Sequence, residues 1–231
     1  GMLPGYYVSS SDNQFLTFGA NGFALTTDSS TQGATFATGI TAGTDRVLVN
    51  ASTTLTDNPT VYSLRTSGAF NLSSGTGQYN TITFRESGTN MGGLIIGGNA
   101  AVTTNLRFGS SADREALLFT ASGATMTMNA DLFAGSVTKF GAGTLTIGKD
   151  QTAAANGNGF AGNWVVNQGG LTLNTFGSSG DGGTITLNSS SPTTASTSSS
   201  TSPRAWARNS ACRRPARLPW PSTSRLPVAL S

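Results

Sequence analysis

Apolar residues spaced two apart return at an interval of 12 through the middle of this chain. The pairs are Phe70/Leu72, Ile82/Phe84, Leu94/Ile96 and Leu106/Phe108, and Leu118 continues the series. Residues i and i+2 of a strand share one face, so each pair predicts a short strand with one apolar side. A strand plus turn of fixed length, apolar on the same side each time, is what a stacked coil needs in order to bury its inward residues against the coils above and below. The alternate positions Thr81, Thr83, Arg85, Asn105 and Arg107 suit a solvated outer wall. A β-meander would also give even spacing, but it favours two-residue Asn-Gly or Asp-Gly turns. Asn21-Gly22, Asn156-Gly157, Asn158-Gly159 and Asp181-Gly182 all lie outside the periodic run, so the solenoid is the expected arrangement.

Composition agrees with an all-β chain. Of 231 residues, 30 are Gly, 35 Thr, 29 Ser and 17 Asn, while Lys and Glu number two each. Helical bundles and coiled coils need those charged helix formers in quantity. No apolar run reaches the roughly 18 residues of a membrane-spanning helix, so no membrane span is expected. The glycines keep no three-residue period, which excludes collagen.

The net charge of +3 divides unevenly. Residues 1–191 carry seven basic residues against all ten acids, a balance of −3, whereas residues 192–231 carry six arginines and no acid. The tail also holds six of the eight prolines, the single Cys212, and Trp206 and Trp220. An arginine-rich arm of this kind could meet nucleic acid or an anionic membrane, or could be a Ser/Thr/Pro linker. Arg, Pro, Ala, Ser, Leu and Trp are also what a GC-rich gene yields out of frame, and strand periodicity stops at Ser191. A disordered or out-of-frame tail is therefore expected, and no nucleic acid is expected on the body. At the other end, Gly1 before Met2 reads as a remnant of protease cleavage. The following residues show no basic and apolar secretion signal, which leaves open a fragment of a longer reading frame.

Residues 135–188 carry a second pattern. Val137-Thr138-Lys139-Phe140-Gly141-Ala142-Gly143-Thr144-Leu145-Thr146-Ile147 is followed by a Gly/Asn-rich loop, then Trp164-Val165-Val166-Asn167, then Gln168-Gly169-Gly170-Leu171-Thr172-Leu173, and Gly183-Thr184-Ile185-Thr186-Leu187 closes it. This stretch resembles the autotransporter-associated β-strand repeat, and residues 45–132 resemble it more loosely. The resemblance implies a right-handed parallel β-helix of a bacterial, exported, surface-located protein. Independently, glycines 141, 143, 169, 170, 182 and 183 precede strands where a corner calls for positive φ. Thr144/Thr146 and Thr184/Thr186 place hydroxyls on the outer face. The expected organisation is a β-solenoid body over 1–191, comprising an N-terminal coil or cap (1–44), loose coils (45–132) and the repeat (135–188), and then an irregular basic tail (192–231).

Chemistry is sparse. With no histidine, a Ser-His-Asp triad, a Cys-His pair and the usual zinc sites are excluded. The clustered charges are Arg85-Glu86 and Asp113-Arg114-Glu115, and Glu86, Asp113, Arg114 and Glu115 are the candidates for carboxylate chemistry on polysaccharide, provided that two coils bring them side by side. Surface salt bridges are the plainer expectation for them. Asp150, Asn156, Asn158 and Asp181, with Asn163, offer hard oxygens for calcium, although Asx turns account for the same residues. Trp164 is the aromatic candidate for a glycan platform, against a stacking role in the core. The functional expectation is a non-enzymatic structural or adhesive module, extracellular or at the cell surface, that meets glycans or other surface chains and associates end to end through open strand edges. The alternative is a histidine-free, calcium-dependent hydrolase or lyase acting on polysaccharide or on a small ester or lactone.

Overall fold

The computed structural model describes residues 3–5, 7–40, 42–77, 80–87, 90–109, 114–152, 160, 163–175 and 177–188. The chain divides into a unit Gly1–Ser198 and a unit Ser199–Ser231, and every described residue belongs to the first. The basic tail, with Cys212, Trp206 and Trp220, lies outside the described residues, as do Asp113, Asn156 and Asn158. All elements among the described residues are strands, and no helix is long and apolar enough to cross a membrane.

Three parallel sheets make up most of the unit. The eight-stranded sheet contains β4 (Ser30–Gln32), β5 (Arg46–Val49), β8 (Ser63–Thr66), β13 (Leu94–Ile96), β16 (Glu115–Thr120), β19 (Ser136–Phe140), β21 (Asn163–Val166) and β23 (Ile185–Leu187). The six-stranded sheet contains β6 (Thr53–Thr54), β9 (Leu72–Ser73), β14 (Ala100–Val102), β17 (Thr125–Met128), β20 (Thr144–Ile147) and β22 (Gly170–Leu173). The four-stranded sheet contains β7 (Thr60–Val61), β10 (Thr81–Phe84), β15 (Asn105–Phe108) and β18 (Leu132–Phe133). From β5 to β20 the main strands visit the eight-, six- and four-stranded sheets in that order again and again. Only a small antiparallel pair, β11 (Glu86–Ser87) and β12 (Asn90–Met91), interrupts the sequence.

The interval of 12 is half of the true return. Ile82 and Phe84 pair in register with Leu106 and Phe108, and Leu94 pairs with Leu118, each 24 residues on. A step of 12 carries the chain from one sheet to another, whereas a step of 24 brings it back beside its own kind. The return is elastic elsewhere, with Leu64 meeting Leu94 and Leu118 meeting Lys139. Within each sheet the register builds inward columns. Val47, Leu64, Leu94 and Leu118 form one, and Leu72, Val102, Met128, Ile147 and Leu173 form another; all are buried. Phe84 and Phe108 lie face to face, 4.4 Å apart and 4° from parallel. Aligned columns of this kind remove apolar surface from water at every layer.

Asparagines reinforce the layers in a way that the sequence reading did not anticipate. Their carboxamides bridge residues distant in sequence. The side-chain oxygens of Asn71, Asn99, Asn105 and Asn163 accept from the main-chain N–H of Ala101, Thr125, Asp131 and Thr184 at 2.8–3.0 Å. Each bond spans 21–30 residues and satisfies a donor where a strand of the next layer begins. Among the described residues, Asn13 is the one non-glycine with positive φ.

A three-stranded antiparallel sheet, β1 (Val8–Ser9), β2 (Gln14–Gly19) and β3 (Gly22–Leu25), covers part of the outer wall. Its Phe15 and Val8 pack with Ile95, Phe119, Ala121 and Ala124 in a second cluster, and Phe140 packs against both this cluster and the main core. The outer wall is therefore not uniformly polar. β16 reads Glu-Ala-Leu-Leu-Phe-Thr and is buried on both faces because this cover lies over it. The chain before β1 crosses the sheet at Gly5, whose N–H donates to Met91 O at 2.8 Å. A Cβ at Gly5 would lie 2.7 Å from backbone atoms of Gly92 and Gly93, so this crossing of backbones requires glycine. Replacing Phe15 with Ala should loosen the cover alone, costing about 2–4 kcal/mol locally. Hydrogen exchange would accelerate at Leu16 and Thr26 while β14 and β17 stay protected; uniform acceleration would contradict a separately anchored cover.

Candidate functional site

Strict alternation along β19 sends Val137 and Lys139 inward and Thr138 outward. Lys139 thus stands in an apolar column between Leu118 and Val166, with no exposure to solvent. A bare ammonium there would carry a large desolvation cost. Its Nζ instead donates to the carbonyls of Gly141 and Gly143 at 2.5 Å and of Gln168 at 2.7 Å. Two successive corners supply these carbonyls, and they stack on a third at Thr120. Gly143 N–H donates to Thr120 O at 3.0 Å, and Gly170 N–H donates to Gly143 O at 3.1 Å. Of the six corner glycines expected to need positive φ, Gly141, Gly169 and Gly182 have it, at 80°, 74° and 115°, whereas Gly143, Gly170 and Gly183 do not. Gly143 is required for a different reason: a Cβ there would lie 2.2 Å from Ala121 O. Lys139 and Gly-x-Gly are thus one unit, a cation on one strand and the carbonyl corner that receives it. Sequence reasoning quoted both without joining them, and the alternation was the signal that could have done so.

The described carboxylates Glu86 and Glu115 stand in different sheets. Glu115 opens β16, is exposed, and accepts a hydrogen bond from Thr138 Oγ1 on the neighbouring strand. Glu86 stands in the antiparallel pair opposite Met91. Arg114 is exposed, and its main chain joins Phe108 O at 2.7 Å and Gly135 N at 2.8 Å. For Asp150 the Asx turn is what the structure contains: its Oδ1 accepts from Thr152 N at 2.9 Å and Thr152 Oγ1 at 2.7 Å. Asp181 is exposed, with its N–H on Phe160 O at 2.8 Å. Among the described residues no three His, Cys, Asp or Glu side chains gather as a metal centre.

Trp164 does not form an exposed platform. Register with Val137 and Ile185 turns it inward, it is fully buried, and its Nε1 donates to Ser179 O at 3.0 Å. Phe160 meets it edge to face at 5.3 Å. The structure places exposed aromatic surface elsewhere. On the far side of the N-terminal cover, Tyr7 stacks on Phe23 at 5.9 Å, and Phe18 meets Phe23 edge-on at 5.2 Å. Phe18 and Phe23 are 52% and 60% exposed, beside Leu25 at 47%. A groove of about 330 Å³ runs along this cover, lined by residues including Leu16, Leu25, Thr26, Thr27, Arg46 and Tyr62. No local pattern points to it, because its walls come from segments that the 12-residue period does not include.

The cage makes a pH prediction with a definite sign. Burial pushes the Lys139 ammonium down from 10.5 to about 8. Between those values the unfolded chain binds more protons, so the Lys139 contribution makes stability rise with pH from about 8 to 10.5. Thermal melts of Lys139→Met should lack that rise. At neutral pH the variant should also lose about 2–4 kcal/mol, because the caging carbonyls lose their donor. An unchanged pH profile, or an unchanged melting temperature at pH 7, would show that the cage contributes nothing. Comparison of the chain with protein-family models, with curated protein sequences and with solved structures returns no match.

Proposed function

We propose that the body is a right-handed parallel β-helix, a β-solenoid, serving as a non-enzymatic structural or adhesive module of a bacterial exported or surface protein. The observation that carries this reading is the repeated visit to three parallel sheets in one order, with inward columns continuous from layer to layer. Right-handedness follows from the rule that parallel crossover connections take that hand in about 98% of cases. Bacterial export rests on the resemblance of residues 137–147 to the autotransporter-associated repeat. The bond from Thr138 to Glu115 favours a structural surface over the competing polysaccharide hydrolase, since it employs that carboxylate in holding two strands together.

Such a module presents Thr and Asn outward and meets glycans or other chains along its length. Its terminal strands are also sticky. β4 and β23 are the outermost strands of the eight-stranded sheet, and Leu187 on β23 is 46% exposed. Light scattering should give a mass that climbs with concentration, and a constant monomer mass would overturn end-to-end association. Incubation with polysaccharides should release no new reducing ends. Release that disappears in Glu115→Gln would replace this function with the hydrolase.

A further inference from the structure

We infer that the open edge of strand β3 pairs with β3 of a second copy of this chain, antiparallel about a two-fold axis through Ala24. The two N-terminal covers then form one six-stranded sheet. This side-by-side contact is separate from the end-to-end contacts at β4 and β23 and does not depend on the solenoid reading.

Three observations carry it. The first is an edge with nothing to block it. β3 is the outermost strand of its three-stranded sheet and has β2 on one side only. Thr26 N–H donates to Phe15 O at 2.9 Å, so alternation aims the main-chain groups of Ala24 and Thr26 at β2 and those of Phe23 and Leu25 away from it. Among the described residues no strand lies beyond β3 to take those outward groups. Sheet edges are usually protected by charge or proline. Residues 13–27 contain neither.

The second observation is that the hairpin projects into solvent. β2 is buried at Gln14 and Phe15 but exposed at Phe18 and Gly19, and Phe23, Ala24 and Leu25 are all exposed. Phe23 and Leu25 lie on one face of β3 and Ala24 on the other, so both faces meet water here. A two-stranded ribbon on its own is marginal in water, whereas three or more strands sharing an apolar face are stable. Pairing β3 with β3 turns the projecting ribbon into four strands.

The third observation selects a second copy as the occupant. Centring the pair on Ala24 sets Phe23 opposite Leu25 of the second copy, and Leu25 opposite its Phe23. These are the residues with outward main-chain groups, so each pair exchanges two hydrogen bonds. An aromatic side chain opposite an aliphatic one is a favourable cross-strand pair. Phe18, edge-on to Phe23 at 5.2 Å, extends the shared apolar face on both sides of the axis. Centring on Phe23 would oppose Leu25 to the turn at Asn21, and centring on Leu25 would oppose Phe23 to Thr27, so Ala24 alone uses both apolar residues. No like charges face each other across the paired strands. An unrelated extended segment could meet the main-chain groups, but a second copy meets them and the apolar face together by symmetry.

The test is sedimentation equilibrium of the full chain combined with cross-linking. One short edge and a few apolar side chains make a transient interface, so half-dissociation of a dimer at roughly 10–100 μM is expected. Phe23→Lys should weaken the dimer roughly tenfold or more with the melting temperature unchanged. Ala24→Cys, with Cys212→Ser to remove the single natural thiol, should give a disulfide-linked dimer with oxidised glutathione. In this register the two Ala24 Cα atoms lie about 4.5 Å apart, within disulfide range. Asn21→Cys, about 20 Å from its symmetry mate, should not cross-link. Leu187→Lys, on β23, should remove end-to-end growth and leave this dimer intact. The inference is overturned if the chain stays monomeric throughout that range and tenfold above it, if Phe23→Lys associates as wild type does, or if Ala24→Cys cross-links no faster than Asn21→Cys. Association lost in Leu187→Lys but kept in Phe23→Lys would also overturn it, while leaving the end-to-end reading in place.

Discussion

Register between successive parallel strands is the constraint on which everything else in this protein depends. Side chains alternate with a period of two, so a slip of one residue in any layer would turn its apolar set outward. The chain holds register with two devices. Inward columns of Leu, Val, Met and Phe reward correct alignment, as in Leu64–Leu94–Leu118. Asparagine carboxamides then bond the first donors of the next layer, as Asn99 does for Thr125, fixing where that strand starts. Neither device needs disulfides or a metal, and both act between residues roughly one circuit apart. A low-charge sequence rich in Asn and Thr can therefore support a stacked sheet.

Lys139 tests how strong that constraint is. Alternation assigns it to the core whatever its charge, and the structure obeys the alternation and finds donors' partners for the charge. The cost of burying an ammonium is offset by three carbonyls already turned inward at the glycine corners. The corner and the cation thus explain each other. Without a cation, the carbonyls of Gly141 and Gln168 would lose the ammonium donor, and Gly143 O would keep only Gly170 N–H. Without glycine at 143, the corner could not approach the layer beneath it.

Legibility in the sequence follows the same physics. The strands around Ile82, Leu94, Leu106 and Leu118 were readable because each forms one apolar face, but the interval of 12 conceals a return of 24. Apolar spacing alone does not say which sheet a strand joins. The asparagine bridges were invisible for a related reason: their partners lie 21–30 residues away, beyond the reach of any local pattern. Trp164 followed its inward register rather than its chemical suggestiveness as a platform. The groove was illegible because it forms where residues 14–27 return across strand β5, a long-range placement that no local pattern encodes.

The N-terminal cover shows where the structure departs from what stability alone requires. Its inner face, Phe15 with Val8, is sufficient to dock it on Ile95 and Phe119, and the crossing at Gly5 anchors its leading end. Nothing in that docking calls for an apolar outer face. Small sheets that cap larger ones normally turn polar side chains to water. Here the outer side carries Tyr7, Phe18, Phe23 and Leu25, of which Phe18, Phe23 and Leu25 are 52%, 60% and 47% exposed. Packing accounts for the inner face completely and for the outer face not at all. The second face is therefore explained by contact with something other than this chain's own core.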